Sequence, residues 1–196
     1  MKIYICNISD VTQKEFDLWF DDMSRERQNE ISRIVSQAKR NSRIASDYLC
    51  KKAISEFCGI SKDEITFKKN AFGKPYAENL PVYFSISHSA DVVVCAVSDK
   101  EIGIDIEKIK PFNIKAAEKF ATKKEIEHIT SANNGFFEIW TLKEAYFKCI
   151  GTGLGADIKN VSFEITQDKI FCSDSRYKLM FYDASEEYIC SICEKN

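Results

Sequence analysis

With 196 residues, 44% of them hydrophobic and 30% charged, the chain can build the core of one ordinary domain or of two small fused halves, and it is too apolar to be disordered. A net charge of −2 argues against a dedicated nucleic-acid binder, which would carry a strongly basic face. No apolar run reaches the ~20 residues that cross a bilayer, and MKIYICNISD turns polar too early for a secretory signal. The expectation is a cytoplasmic protein with neither nucleic acid nor membrane as partner.

Eight cysteines sit mostly in apolar runs such as MKIYIC, VVVCAV and YICSIC, and only Cys190 and Cys193 have C-x-x-C spacing. With two histidines in the whole chain, a zinc or redox site is a poor reading, and buried reduced thiols are the better one.

In chain order, KIYICNI (2–8) predicts an opening strand, and TQKEFDLWFDDM and RQNEISRIVSQAK predict amphipathic helices, the second with Ile31, Ile34, Val35 and Ala38 on one stripe. A longer helix is expected over about 41–58, stopped by Gly59, and NAFGKPY (70–76) reads as a loop. A β-meander of 82–89, 91–98 and 102–109 follows, then helices at about 113–121, 123–131 and 134–150. The tail from Asn160 to Cys193 is strand-like. The expected class is α+β, with helices beside an antiparallel sheet in each of two halves, 1–101 and 102–196, and no repeat visible by residue identity.

The strand IGIDIEKI (102–109) places Ile102, Ile104 and Ile106 on one face and Gly103, Asp105 and Glu107 on the other. The two carboxylates are then neighbours roughly 6–7 Å apart, which is unfavourable unless something positive lies between them. In FFEIWTLKEAYFKCIGTGLG, Trp140, Glu144 and Lys148 stack at i, i+4 and i+8, while Ile139, Leu142, Ala145, Tyr146 and Cys149 form the core stripe. A solvent-facing Glu144–Lys148 pair is the plain explanation. Alternatively, Glu144 joins Asp105 and Glu107 as a third oxygen donor for a hard cation such as Mg²⁺. Spacing alone does not bring strand and helix together. GTGLG follows a helix rather than opening one, so it reads as a helix stop and not a phosphate loop. His128 reads as a surface helix residue, and His88, in phase with Val82, Phe84 and Ile86, reads on the residues alone as a core histidine.

GKPY, FSISHS, IGIDIEKI, WTLKEAYFK and GTGL, in that order, resemble the 4′-phosphopantetheinyl transferases, in length and layout the longer surfactin-synthetase-activator type rather than the half-length trimeric one. The resemblance implies a monomer of two similar α+β halves that moves phosphopantetheine from coenzyme A to a serine of an apo acyl or peptidyl carrier protein and releases 3′,5′-ADP. It implies Asp105, Glu107 and Glu144 as Mg²⁺ ligands, Glu144 as the base and Lys148 facing the leaving phosphate. It further implies Lys74, Ser87 and His88 as nucleotide contacts, Arg27 and Arg43 for the 3′-phosphate, and carrier docking around Pro111–Phe120, with Lys110, Lys115 and Lys119 steering an acidic partner. Where family members often carry a further lysine after the first basic position, this chain has Gln28, Asn29 and Glu30. The competing readings are another Mg²⁺-dependent phosphoryl-transfer or hydrolytic enzyme, and a non-catalytic module that docks carrier proteins.

Overall fold

Helix starts are written into the sequence as side-chain caps. Thr12 and Glu15 form a reciprocal capping box, and Ser24 and Ser36 each accept a backbone N–H of the following first turn. The computed structural model describes residues 1–167 and 169–196; residue 168, within the tail read as strand-like, lies outside the described residues. Strand β1 (Lys2–Asn7) leads to α1 (Gln13–Asp21), α2 (Arg25–Ser32) and the long α3 (Gln37–Cys58). Gly59, in the left-handed conformation at φ 70°, ends α3 as expected.

One expected helix is broken. The stretch 27–39 divides between α2 and α3, because Ser36 caps a new helix and the chain turns at 33–36. Val35, placed on the apolar stripe by periodicity, is 93% exposed.

A short hairpin, β2 (Phe67–Lys69) and β3 (Pro75–Ala77), holds the turn-rich loop, and β4 (Tyr83–Ser89) and β5 (Val92–Ser98) follow. Strand β6 (Ile102–Lys108) does not complete a meander. It leaves the first sheet, ordered β1-β5-β4, and becomes the edge of a second sheet. After α4 (Ile114–Ala117), α5 (Lys123–Ser131) and α6 (Gly135–Ile150) come the hairpin β7 (Phe163–Ile165)–β8 (Ile170–Cys172), β9 (Tyr177–Tyr182) and β10 (Tyr188–Lys195). The second sheet is ordered β6-β10-β9, antiparallel throughout. In each sheet the first strand of its half pairs with the last, which also pairs with the one before it. Two similar α+β halves are thus present without a shared residue pattern.

Three apolar clusters follow from strand alternation. Val93, Cys95 and Val97 of β5 pack under α3, and Cys193 and Leu179 pack under α6. Between the sheets lie Val94 and Ala96 of β5, the three isoleucines of β6, and Cys190 and Ile192 of β10. All eight cysteines are free and five are buried, as read from their apolar settings.

Helix α6 is fixed on two sides. Lys143 and Glu125 pair at 3.0 Å with both side chains unexposed. The Lys143 ammonium also donates to the carbonyls of Ile158 and Val161, and Glu125 accepts the N–H groups of Thr122 and Phe163. A buried pair is tolerable when its remaining polar atoms are occupied, and removing one partner typically costs about 3–5 kcal/mol. On the other side α6 lies directly on β6: a Cβ at Gly103 would stand 1.9 Å from the carbonyl oxygen of Ala145. No side chain fits there, and a helix backbone cannot yield as a flexible side chain can. Gly103→Ala is expected to cost at least the ~1–3 kcal/mol typical of overpacking, read as a lower urea midpoint. An unchanged midpoint would mean that α6 is free to ride away from the strand.

Candidate active site

The close approach at Gly103 sets α6 against the polar face of β6, so the carboxylates of one element meet those of the other. Asp105 is 4% exposed. Its Oδ1 accepts from Lys148 Nζ at 2.6 Å and from Ser87 Oγ at 2.7 Å. Lys148 Nζ also donates to Ser87 Oγ at 2.9 Å, which closes a three-membered cluster. The i,i+4 partner expected for Lys148 was Glu144; its ion pair is instead with Asp105, across the strand–helix interface. Glu107 Oε2 accepts from Ser89 Oγ at 2.8 Å.

Glu144, half-buried one turn before Lys148, has its carboxyl pushed up to about 7 by burial first and then by the charges of Asp105 and Glu107, with Lys148 opposing. Burial likewise raises Asp105 above the usual carboxylate range, against the pull of Lys148 and Ser87. Among the described residues, no three His, Cys, Asp or Glu groups already converge as a coordination shell. The donor set nevertheless fits a hard cation. Asp105 Oδ2 is buried with no hydrogen-bond partner. Three carboxylates face one ammonium, so the corner is short of positive charge, and oxygen donors of this kind suit Mg²⁺.

The cluster opens onto a cavity of about 1070 Å³. Arg27, Arg43, Ser87, His88, Asp105, Glu107, Glu144 and Lys148 all line it. His88 is exposed on this wall rather than in the core; burial, Arg43 and Lys148 together lower its pKa. Arg43 forms no ion pair among the described residues and is exposed. Arg27, by contrast, is held. Its Nε and Nη2 donate to Asp47 at 2.5 and 3.0 Å, and its Nη1 donates to Glu30 at 2.5 Å.

Lys74 is the one predicted site residue that does not line the cavity, although Gly73 and Pro75 on either side do. Its Nζ donates to the carbonyls of Cys149 at 3.0 Å and Ile102 at 3.2 Å. It joins the C-terminal end of α6 to the start of β6, where a cation is favoured by the helix dipole. Burial lowers its pKa.

Sequence reasoning missed Ser85, Ser89, Asp47 and the structural work of Lys74. The alternation S-I-S-H-S did carry a signal, since it puts three serines on one face of β4. His128 is half-buried and bonded to Glu138 at 2.6 Å, not a free surface residue.

Lys74→Met separates scaffold from ligand contact. Two charge-assisted bonds vanish, and the unliganded protein is expected to lose roughly 1.5–3 kcal/mol, measured by chemical denaturation. Unchanged stability with weakened nucleotide binding would restore Lys74 to the ligand.

Residues 10–100 match a family model described as 4′-phosphopantetheinyl transferase, N-terminal, and residues 101–193 match the 4′-phosphopantetheinyl transferase superfamily. The 4′-phosphopantetheinyl transferase gsp of Aneurinibacillus migulanus is 32% identical over 194 residues, covering 94% of this chain and 81% of that one. A 4′-phosphopantetheinyl transferase of Bacillus subtilis is 31% identical over 98% of this chain and 92% of its own. The Sfp enzyme of Bacillus subtilis strain 168 is 29% identical over the same shares. With both halves matched and identity spread over nearly the whole length, the chain belongs to the 4′-phosphopantetheinyl transferase superfamily.

Proposed function

We propose that this enzyme transfers phosphopantetheine from coenzyme A to a serine hydroxyl of an apo acyl or peptidyl carrier protein, with Mg²⁺, releasing 3′,5′-ADP. The observation that carries the reading is the buried Asp105–Lys148–Ser87 cluster with Glu144 beside it, open to a cavity of nucleotide size. Asp105, Glu107 and Glu144 would hold the cation, whose chemistry is to neutralise charge on the pyrophosphate oxygens.

The attacking serine must lose a proton. Glu144, a half-buried carboxylate on the cavity wall beside the cluster, is the candidate to take it as general base. Lys148 uses two of its three N–H groups on Asp105 and Ser87, and from the cavity wall the third can stabilise a leaving phosphate. His88 and Arg43 stand along the same wall for the remaining anionic oxygens.

For the carrier, a groove of about 400 Å³ runs from Glu107 past Lys110, Lys119, Phe120, Phe136 and Trp140. Glu107 is shared with the larger cavity, so a partner in the groove reaches the carboxylate cluster. Phe112, 42% exposed, stacks on the lining residue Phe136 at 4.6 Å. Apolar floor and basic rim suit an acidic helical partner.

The test is mass spectrometry of a panel of apo carrier proteins with coenzyme A, with and without Mg²⁺. Mass gain with equimolar 3′,5′-ADP is expected only with metal present; 3′,5′-ADP formed without any carrier would make the chain a hydrolase. In single-turnover transfer, Glu144→Gln is expected to bind coenzyme A at moderately reduced affinity and react about 10²–10⁴-fold more slowly. Near wild-type turnover would leave Glu144 a replaceable ligand and not the base.

A further inference from the structure

The second corner of the cavity has an unexpected charge. Arg27 is bonded to two carboxylates at once, Asp47 on one side and Glu30 on the other. The three groups together are net negative. Three of the five guanidinium N–H groups are taken, and the side chain is 31% exposed. Asp47 grips it in the bidentate geometry that fixes a guanidinium plane, and is itself 28% exposed. Glu30 makes a single bond and is 49% exposed. The two carboxylates therefore differ in kind: Asp47 orients the arginine by two bonds, while Glu30 holds a third N–H by one bond from a more exposed position on the cavity that all three line.

On the reading above, the pyrophosphate of coenzyme A lies at the Asp105–Lys148 corner. The ligand's other anion, its 3′-phosphate, must then find a cation elsewhere on the wall. Arg43, Lys51, Lys62 and Lys69 line that wall, and so does Arg27, which keeps two N–H groups beyond those bonded to Asp47 and Glu30 but sits in a cluster whose net charge Glu30 makes negative. We infer that Glu30 is a specificity-determining residue: a resident carboxylate that competes with the 3′-phosphate for Arg27 and so weakens discrimination between coenzyme A and 3′-dephospho-coenzyme A. Lys69, exposed on the same cavity wall and close enough for its charge to act on Glu30, receives the displaced carboxylate.

This inference rests on the proposed function, and its test is arranged so that the two can fail separately. Dissociation constants are measured calorimetrically for coenzyme A and 3′-dephospho-coenzyme A, and for 3′,5′-ADP and 5′-AMP, which differ by the same phosphate and need no carrier. A unit charge within ~6 Å of a phosphate, at an effective dielectric of ~40–80, changes affinity by about threefold to tenfold. Glu30→Gln is expected to tighten coenzyme A and 3′,5′-ADP by that factor and leave the two ligands lacking the phosphate unchanged. The gain should be smaller in an Arg27→Ala background, because the freed guanidinium receives the phosphate. Arg43→Ala should weaken the phosphorylated ligand of each pair more than its partner. Equal effects on both members of a pair, or a Glu30→Gln gain undiminished without Arg27, overturn the assignment. Failure to modify any carrier would instead remove the proposed function, while the 3′,5′-ADP and 5′-AMP comparison would still decide the role of Glu30.

Discussion

The two sheets meet along β4 and β6 without a backbone ladder, and the site depends on how that seam is closed. Serines at alternate positions of β4 bridge it. Ser85 Oγ accepts the N–H of Ile104 at 3.1 Å and Ser89 Oγ accepts the N–H of Lys108 at 3.0 Å. The contacts advance in the same direction on both strands, so the seam runs parallel. Ser89 then donates its proton to Glu107, and Ser87 donates to Asp105 while accepting from Lys148. Each of Ser87 and Ser89 thus has its hydroxyl used both ways, which is what a buried hydroxyl needs to be stable. An apolar residue at Ser89 would remove the donor to Glu107, and one at Ser87 would leave Asp105 with Lys148 alone. The bonds that join the halves are the bonds that orient the acidic face.

That face would be unstable in isolation. Asp105 is almost fully buried with one oxygen unpartnered, and Glu144 keeps its proton into the neutral range because burial and two neighbouring carboxylates disfavour its charge. The same structure holds α6 rigidly over it, through the satisfied Glu125–Lys143 pair on one side and the missing side chain at Gly103 on the other. A scaffold that cannot relax keeps like charges together, and such strain is relieved by binding. Acidic residues also line the far end of the cavity, so the wall as a whole is not basic enough to neutralise a polyphosphate by itself. The cation proposed above would supply the missing positive charge.

Much of this was legible in the chain. Period-two alternation in IGIDIEKI gave the two faces of β6, and the i, i+4, i+8 stack gave the polar stripe of α6, because both depend on backbone geometry alone. Gly59 and Gly151 gave two helix ends, both in the left-handed conformation. Long-range choices were not legible. Strand β6 reads as the third strand of a meander, yet its partner is β10, more than eighty residues on in sequence. Periodicity carried the helix through Val35, where one serine cap outweighs an apolar stripe. Arg27 reads as a free cation because the sequence does not show that Asp47, on another helix, faces it. Charge type is local, but pairing belongs to the fold.

The same distinction changes what the motifs mean. GKPY and GTGL lie far apart in the chain and look like two independent ligand loops. In the fold they form one contact: Asn70 Nδ2 donates to the carbonyl of Gly151 at 2.9 Å, and Lys74 donates to that of Cys149. Both donors satisfy carbonyls left open at the end of α6, where the helix has no partners of its own. Gly151 is left-handed at φ 74°, and a side chain there would press on Lys74 and Asn70. Lys148 is less than one turn from this clamp. Its ammonium therefore meets Asp105 beside a clamp supplied from the other half of the chain, and the first-half loop holds the end of the helix that carries Lys148 and Glu144.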